Sequence, residues 1–136
     1  MGTEITIQAS IGRTAYATQI SIRGHQLIGD EPIENGGQDQ GPKPSELVLA
    51  GLATCSASTM RMYADRKGWP VEQIFITLGL IVDKTETGQT SQITETIRIE
   101  GNVNEEQKKR LIEIAGKCPI YRLLTNEIRI QIQLKD

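Results

Sequence analysis

Apolar residues recur with a period of two in several stretches of this chain. "EITIQAS" places Ile5, Ile7 and Ala9 on one face, and "YATQISI" does the same for Tyr16, Thr18, Ile20 and Ile22. The pattern predicts two strands joined by "IGR", with Gly12 at the turn, and "HQLIG" adds a short third strand. Further along, "IFITLGLIV" aligns Ile74, Ile76, Leu78, Leu80 and Val82. The polar "DKTETGQTSQ" predicts a turn, and "ITETIRIEG" returns with Ile93, Ile97 and Ile99, as expected of a long hairpin. "EIRIQIQL" closes the chain as a predicted strand, with Ile128, Ile130, Ile132 and Leu134 inward.

Two segments follow helical rules instead. The longer runs from about Pro44 to Lys67: Pro44 or Ser45 opens it, Glu46 suits the positive end of its dipole, and Arg61, Arg66 and Lys67 suit the negative end. Gly68 and Pro70 stop it. No charge interrupts it between Leu47 and Met60, so it has no solvated stripe and is expected to be buried on all sides. Small residues at Ala50, Gly51, Ala53, Ser56, Ala57 and Ser58 let other backbones approach it, which suits a central helix in a domain or dimer core. In the second helix Asn104 caps and Gln107 completes a capping box. Leu111, Ile114, Ala115 and Cys118 share one face there, and Pro119 is expected to end the helix at Cys118.

The element order gives an α+β domain with a largely antiparallel sheet. At 136 residues the chain is expected to form one domain over 1–136, burying roughly two thirds of its extended surface, a core that needs no staples. "GDEPIENGGQDQGPKP", residues 29–44, is rich in Gly and Pro and nearly free of apolar side chains; a loop of this length is expected to border a site or an interface. The 15 Lys and Arg against 17 Asp and Glu are interspersed, which argues against nucleic acid as a partner. No apolar run is long enough to span a membrane, and the N-terminus lacks a basic-then-apolar leader, so a cytoplasmic location is expected.

In a reducing compartment, two cysteines 63 positions apart, Cys55 and Cys118, are buried or reactive more often than permanently bridged. Packing alone accounts for one cysteine on a buried helix. Cys118 adds a thiol at a helix end. Lys117 and Arg122 lie near it in sequence, and Arg61 follows Cys55, so nearby cations could lower the thiol pKa values. Other constellations are weaker. "GPKPSEL" lacks the adjacent lysine and hydroxyl, in Gly-Lys-Ser/Thr order, of a phosphate loop, and His25 is the sole histidine, which excludes a paired-histidine metal site. Asp30, Glu31 and Glu34 lack calcium-loop spacing. No metal or cofactor is expected.

"GPKPSELVLAGLATCSASTMRMYADRKGWP" together with "KCPIYRLL" resembles the OsmC/Ohr family of osmotically induced and organic-hydroperoxide-resistance proteins. The OsmC-like subgroup pattern is met by His25, Leu27, Asp30, Glu31, Pro32, Gly36, Gly37, Gly41, Pro42, Pro44, Glu46 and Leu47. The resemblance implies an OsmC-like fold, an antiparallel sheet packed on a long buried central helix and a second helix, in an intertwined homodimer. It implies two sites at the subunit interface, each with an apolar pocket lined in part by Leu52, Met60 and Met62. It also implies a thiol peroxidase: Cys55 attacks an organic hydroperoxide, Cys118 resolves the sulfenic acid, and a dithiol or lipoyl reductant reopens the disulfide.

Arg13 matches the family arginine that holds the thiolate, with Arg23 as the other candidate. The family carboxylate follows the proline eleven residues before the first cysteine. Here that proline is Pro44, but Ser45 follows it and the carboxylate comes one later, at Glu46. A shift of one helical position rotates a side chain by about 100°. Two other readings are therefore a non-catalytic dimer that binds an apolar small molecule or partner, and a structural, stress-associated dimer with no ligand.

Overall fold

The computed structural model describes residues 2–135. Its elements are β1 (Gln8–Ser10), β2 (Thr18–Ile22), β3 (His25–Gly29), a 3-10 turn (Ile33–Asn35), α1 (Pro44–Lys67), β4 (Val71–Thr85), β5 (Gly88–Gly101), α2 (Glu105–Ala115) and α3 (Pro119–Thr125). They divide into two compact units, one ending at Ala50 and the other beginning at Gly51.

In the first unit β1, β2 and β3 form an antiparallel meander in that order. Arg23 and Gly24 make a two-residue β2–β3 turn with φ of 48° and 86°, the doubly left-handed geometry that matches strand twist. β1 pairs only over Gln8–Ser10, so the predicted strand is shorter than its alternation, and Ile5 and Ile7 are exposed.

The Gly- and Pro-rich stretch is an ordered loop built around the buried Asp30. Its carboxylate accepts from the backbone N–H groups of Tyr16 (3.2 Å), Glu31 (2.7 Å) and Gln40 (3.1 Å), while Asp30 N donates to Pro42 O at 3.0 Å. Burial pushes the Asp30 pKa up, but the backbone N–H groups of Gln40, Glu31, Tyr16 and Gln38 outweigh it and hold the carboxyl below its ordinary 3.8. Gly41 is required by close approach, since a Cβ there would lie 2.0 Å from Ile28 O. The loop borders a cavity of about 490 Å³ lined by Tyr16, Ile20, Asp30, Asn35, Pro44 and Leu47.

The second unit holds the rest of α1 and the elements that follow. α1 begins at Pro44 and ends at Lys67 as its caps predict. Gly68 takes φ 71°, Trp69 N bonds Ala64 O at 2.9 Å and Gly68 N bonds Asp65 O at 3.1 Å, so two otherwise orphaned carbonyls are satisfied. Only the stripe Leu52, Ser56, Met60 and Ala64 is buried within the chain, whereas burial on all sides was expected; Val48 and Met62 are exposed, Met62 at 65%. The stripe recurs every four residues because one helix face meets the core of the second unit.

β4 and β5 pair antiparallel with Ile74 opposite Ile99, Ile76 opposite Ile97, Leu78 opposite Glu95 and Leu80 opposite Ile93. The ladder runs on to Thr85 and Gly88, so most of the polar stretch read as a turn is strand. Met60, Ala64, Val71, Ile99, Leu111 and Ala115 form the core cluster, with Trp69, Ile74 and Ile97 against it.

α2 carries both arms of the predicted capping box: Asn104 Oδ1 accepts from Gln107 N at 2.8 Å, and Gln107 Oε1 accepts from Asn104 N at 2.9 Å. It stops at Ala115 rather than Cys118, because Pro119 also opens a further helix, α3, as its N1 residue, with Cys118 as N-cap. The closing strand is not formed within the described chain. Residues 127–135 are outside any helix or strand, and Ile128, Ile130, Ile132 and Leu134 are exposed, the last two at 92%. Alternation suits such a segment to a sheet, but it pairs with neither sheet of this chain.

Candidate functional site

The second unit brings the two cysteines together. Cys55 is half-buried in α1, one turn after Leu52, and Cys118 is fully buried at the start of α3. Both thiols are free, and Cys55 lies close enough to Cys118 to affect its pKa. Cys118 Sγ also accepts from Tyr121 N at 3.4 Å.

Burial is the main cause that pushes the Cys118 thiol above its ordinary pKa of 9.0; the neighbouring Cys55 side chain adds to it, and the backbone N–H groups of Tyr121 and Ile120 only partly offset it. The expectation that neighbouring cations would lower this pKa is corrected on this point. Desolvation of a sulfur in the core outweighs Lys117 and Arg122, both of which are exposed. Arg61 is committed elsewhere, donating to Val71 O at 2.8 Å and pairing with Asp65 at 3.4 Å.

Arg13 and Glu46 belong to the first unit. Arg13 is exposed in the bend that follows β1, and Arg23 is exposed in the β2–β3 turn. Glu46 turns back on its own helix start, where Oε1 accepts from Lys43 N at 2.9 Å. Among the described residues Arg13 and Glu46 form no ion pair with each other. The structure therefore joins Cys55 to Cys118 and gives Glu46 a helix-capping bond.

A cavity of about 440 Å³ opens beside the elements that carry the thiols. Leu52 of α1, Ile93 and Glu95 of β5, and Tyr121, Leu124 and Thr125 of α3 line it. Of the three residues expected to line an apolar pocket, Leu52 does so here, whereas Met60 is a core residue and Met62 is exposed. Two buried polar atoms lack a hydrogen-bond partner among the described residues, Ser56 Oγ next to Cys55 and Glu95 Oε1 in the cavity wall. Sequence reasoning missed Glu95, although the break it makes between Ile93 and Ile97 was a visible signal. His25 lies exposed on β3, and no group of three metal-ligating side chains occurs among the described residues. No helix among them is long and apolar enough to cross a membrane.

A free thiol pair joining a central helix to the cap of a short terminal helix, in an α+β chain with antiparallel hairpins, defines a class of two-cysteine proteins. The family model described as OsmC-like protein matches residues 37–133, and the chain belongs to that family. Solved structures agree in fold. An OsmC-like protein from Mycoplasma pneumoniae superposes with a TM-score of 0.78 at 21% identity, over 91% of this chain and 89% of that one. The organic hydroperoxide resistance protein OsmC of Legionella pneumophila gives 0.69 at 22% identity over 90% of each chain. The organic hydroperoxide resistance protein OhrB of Bacillus subtilis gives 0.66 at 19% identity over 98% of each. Among curated proteins no sequence matches the chain.

Proposed function

We propose that this protein is a thiol peroxidase of organic hydroperoxides, acting as a single-domain homodimer in the cytoplasm. One observation carries the reading: two cysteines 63 positions apart in sequence lie close enough for one to shift the titration of the other, and one of them is half-exposed. The names of the Legionella pneumophila and Bacillus subtilis structures support it.

In the reaction Cys55 sulfur, as thiolate, attacks the terminal oxygen of ROOH. The O–O bond breaks, RO⁻ takes a proton and leaves as ROH, and Cys55 becomes a sulfenic acid. Cys118 sulfur then displaces the sulfenic hydroxyl, its own proton leaving with that hydroxyl as water, and a disulfide forms. A dithiol or lipoyl reductant supplies two electrons and two protons to regenerate both thiols. Arg13 serves as the cation that favours the thiolate and polarises the peroxide, and Glu46 as the carboxylate that orients it, through the oxygen not bound to Lys43 N.

Mass spectrometry after one equivalent of cumene hydroperoxide tests the reading. The parent should gain a Cys55–Cys118 linkage, Cys118→Ser should stop at the sulfenic acid, and Cys55→Ser should consume no peroxide. Peroxide consumption by Cys55→Ser at the parent rate would refute it.

The helix-capping bond of Glu46 favours a second reading, a non-catalytic dimer that holds an apolar small molecule or partner. On that reading neither thiol is activated for attack on a peroxide. Iodoacetamide reaction of Cys55 that titrates well below neutral pH would count against it.

A further inference from the structure

Tyr63 and Arg110 join α1 to α2. Arg110 Nε donates to the Tyr63 hydroxyl at 3.1 Å, and Arg110 Nη1 pairs with Glu113, one turn further along α2, at 3.0 Å. The Tyr63 ring is fixed as well: Trp69 meets it edge-on with centroids 5.5 Å apart, and Lys67 Nζ lies 5.6 Å from its centroid. The Arg110 bond is the main cause that pulls the Tyr63 pKa below its ordinary 10.0, as expected when the donor is a cation.

Spacing ties this bond to the thiols. Tyr63 follows Cys55 by eight residues and Arg110 precedes Cys118 by eight, so the two contacts stand about 12 Å apart along each helix, and the helices run antiparallel between them. Met60 and Ala64 of α1 pack there against Leu111 and Ala115 of α2. Cys118 moves with α2, because Gly116 N, Lys117 N and Cys118 N bond the oxygens of Glu113, Ile114 and Ala115 in turn, at 3.2, 2.9 and 3.3 Å. Those bonds carry the rod past its last α-helical residue.

Apolar packing sets how closely two helices lie, but it is non-directional. A slip of α2 by one residue displaces its side chains by about 1.5 Å and turns them by about 100°, whereas a disulfide closes only within narrow limits of distance and direction. A hydrogen bond between a held phenol and a held guanidinium is directional and resists that slip.

We propose that Tyr63 and Arg110 are a positioning pair for the thiol chemistry: their bond fixes the register of α2 on α1 at one end of the interface and so keeps Cys118 within reach of Cys55 at the other. The role deepens the peroxidase reading and rests on it for the resolving step. The closure itself is measured without peroxide, since glutathione disulfide accepts the two electrons and two protons that the thiols lose and becomes two glutathione molecules.

The test equilibrates the full-length protein in glutathione buffers, quenches with acid and counts free thiols by mass spectrometry. Tyr63→Phe and Arg110→Gln should each lower the equilibrium constant for the Cys55–Cys118 disulfide by about fivefold, the double variant by no more than either alone, and Arg110→Lys should recover most of the loss. The double variant cancels what Arg110 owes to Glu113. A bond that only adds global stability leaves this native-state equilibrium unmoved, as Ile112→Ala should. With cumene hydroperoxide, the Cys55 sulfenic acid of Tyr63→Phe should persist about fivefold longer than the parent's. No disulfide in the parent, an unchanged constant in both single variants, or additive losses in the double variant overturns the inference. A parent that closes the disulfide in glutathione but consumes no hydroperoxide refutes the peroxidase reading alone, and the glutathione constants still decide the positioning role.

Discussion

Truncating Leu111 tests whether the packing of α2 is what secures the second thiol. Leu111 is completely buried in the cluster formed with Met60, Ala64, Val71, Ile99 and Ala115. Leu111→Ala removes three carbons, about 2.4 kcal/mol of transfer free energy at roughly 0.8 kcal/mol each. A cavity walled by a helix and a two-stranded ladder collapses incompletely, so the total should reach about 3 to 4 kcal/mol. That is a large share of the ~5–15 kcal/mol that holds a typical domain together. At fixed protomer concentration the urea midpoint should fall by about 1 to 2 M with an unchanged slope.

The helix face continues through Ile114 and Ala115 to Cys118, whose N–H bonds Ala115 O at 3.3 Å. Loosening α2 should therefore expose the Cys118 sulfur. In a Cys55→Ser background, alkylation of Cys118 should speed up by as much as about a hundredfold in Leu111→Ala, the factor that a change of ~3 kcal/mol in the opening free energy produces. Ile112, half-exposed on the same helix, provides the control, since Ile112→Ala should cost less than about 1 kcal/mol. A midpoint change below about 0.3 M for Leu111→Ala, or unchanged Cys118 alkylation despite lost stability, would refute the reasoning.

Two further outcomes follow from the buried polar groups. Ser56 Oγ is enclosed next to Cys55 without a partner among the described residues, so Ser56→Ala should raise stability by about 1 kcal/mol in chemical denaturation; a loss of that size would show that the hydroxyl has a partner in the assembled protein. Asp30 has a folded pKa below its unfolded 3.8, so its contribution is present above 3.8 and is lost as pH falls through the folded value. The melting temperature of Asp30→Asn should therefore lie below the parent's at about pH 6, and the gap should narrow as pH falls from 3.8 through the folded value; a constant gap would contradict the hydrogen-bonding account.

Local signals were legible wherever one short stretch decides the outcome. The Asn104–Gln107 capping box and the Pro44 start and Gly68 stop of α1 each depend on a few adjacent residues. The α2 face was legible for the same reason, as Leu111, Ile114, Ala115 and Cys118 are all buried. Failures came where the partner decides. "EIRIQIQL" alternates cleanly, yet a strand exists only when a neighbour supplies the ladder, and neither sheet of this chain does so. α1 lacks a charged stripe, yet among the described residues only Leu52, Ser56, Met60 and Ala64 of it are buried, because burial depends on what packs against each face. Pro119 is a helix stop and a helix start at once, and only the geometry at Cys118 separates the two. In the site the thiol pair was legible as two candidate residues, but the orphaned oxygen of Glu95 depends on a register that sequence does not display.

The asymmetry between the thiols orders the proposed chemistry. A peroxide must reach the sulfur it oxidises, and Cys55 is half-buried whereas Cys118 is fully buried. Burial also raises the Cys118 pKa, so Cys118 keeps its proton through the neutral range and sits as a thiol near Cys55. A protonated thiol is a poor nucleophile toward peroxide. It is a suitable neighbour for a sulfenic acid, whose departing hydroxyl takes up that proton as the S–S bond forms. The Tyr121 N–H aimed at Cys118 Sγ favours the developing negative charge at that moment. Burial that would make Cys118 a weak first attacker thus suits it to resolve, because its proton leaves only when a leaving group next to it can accept it.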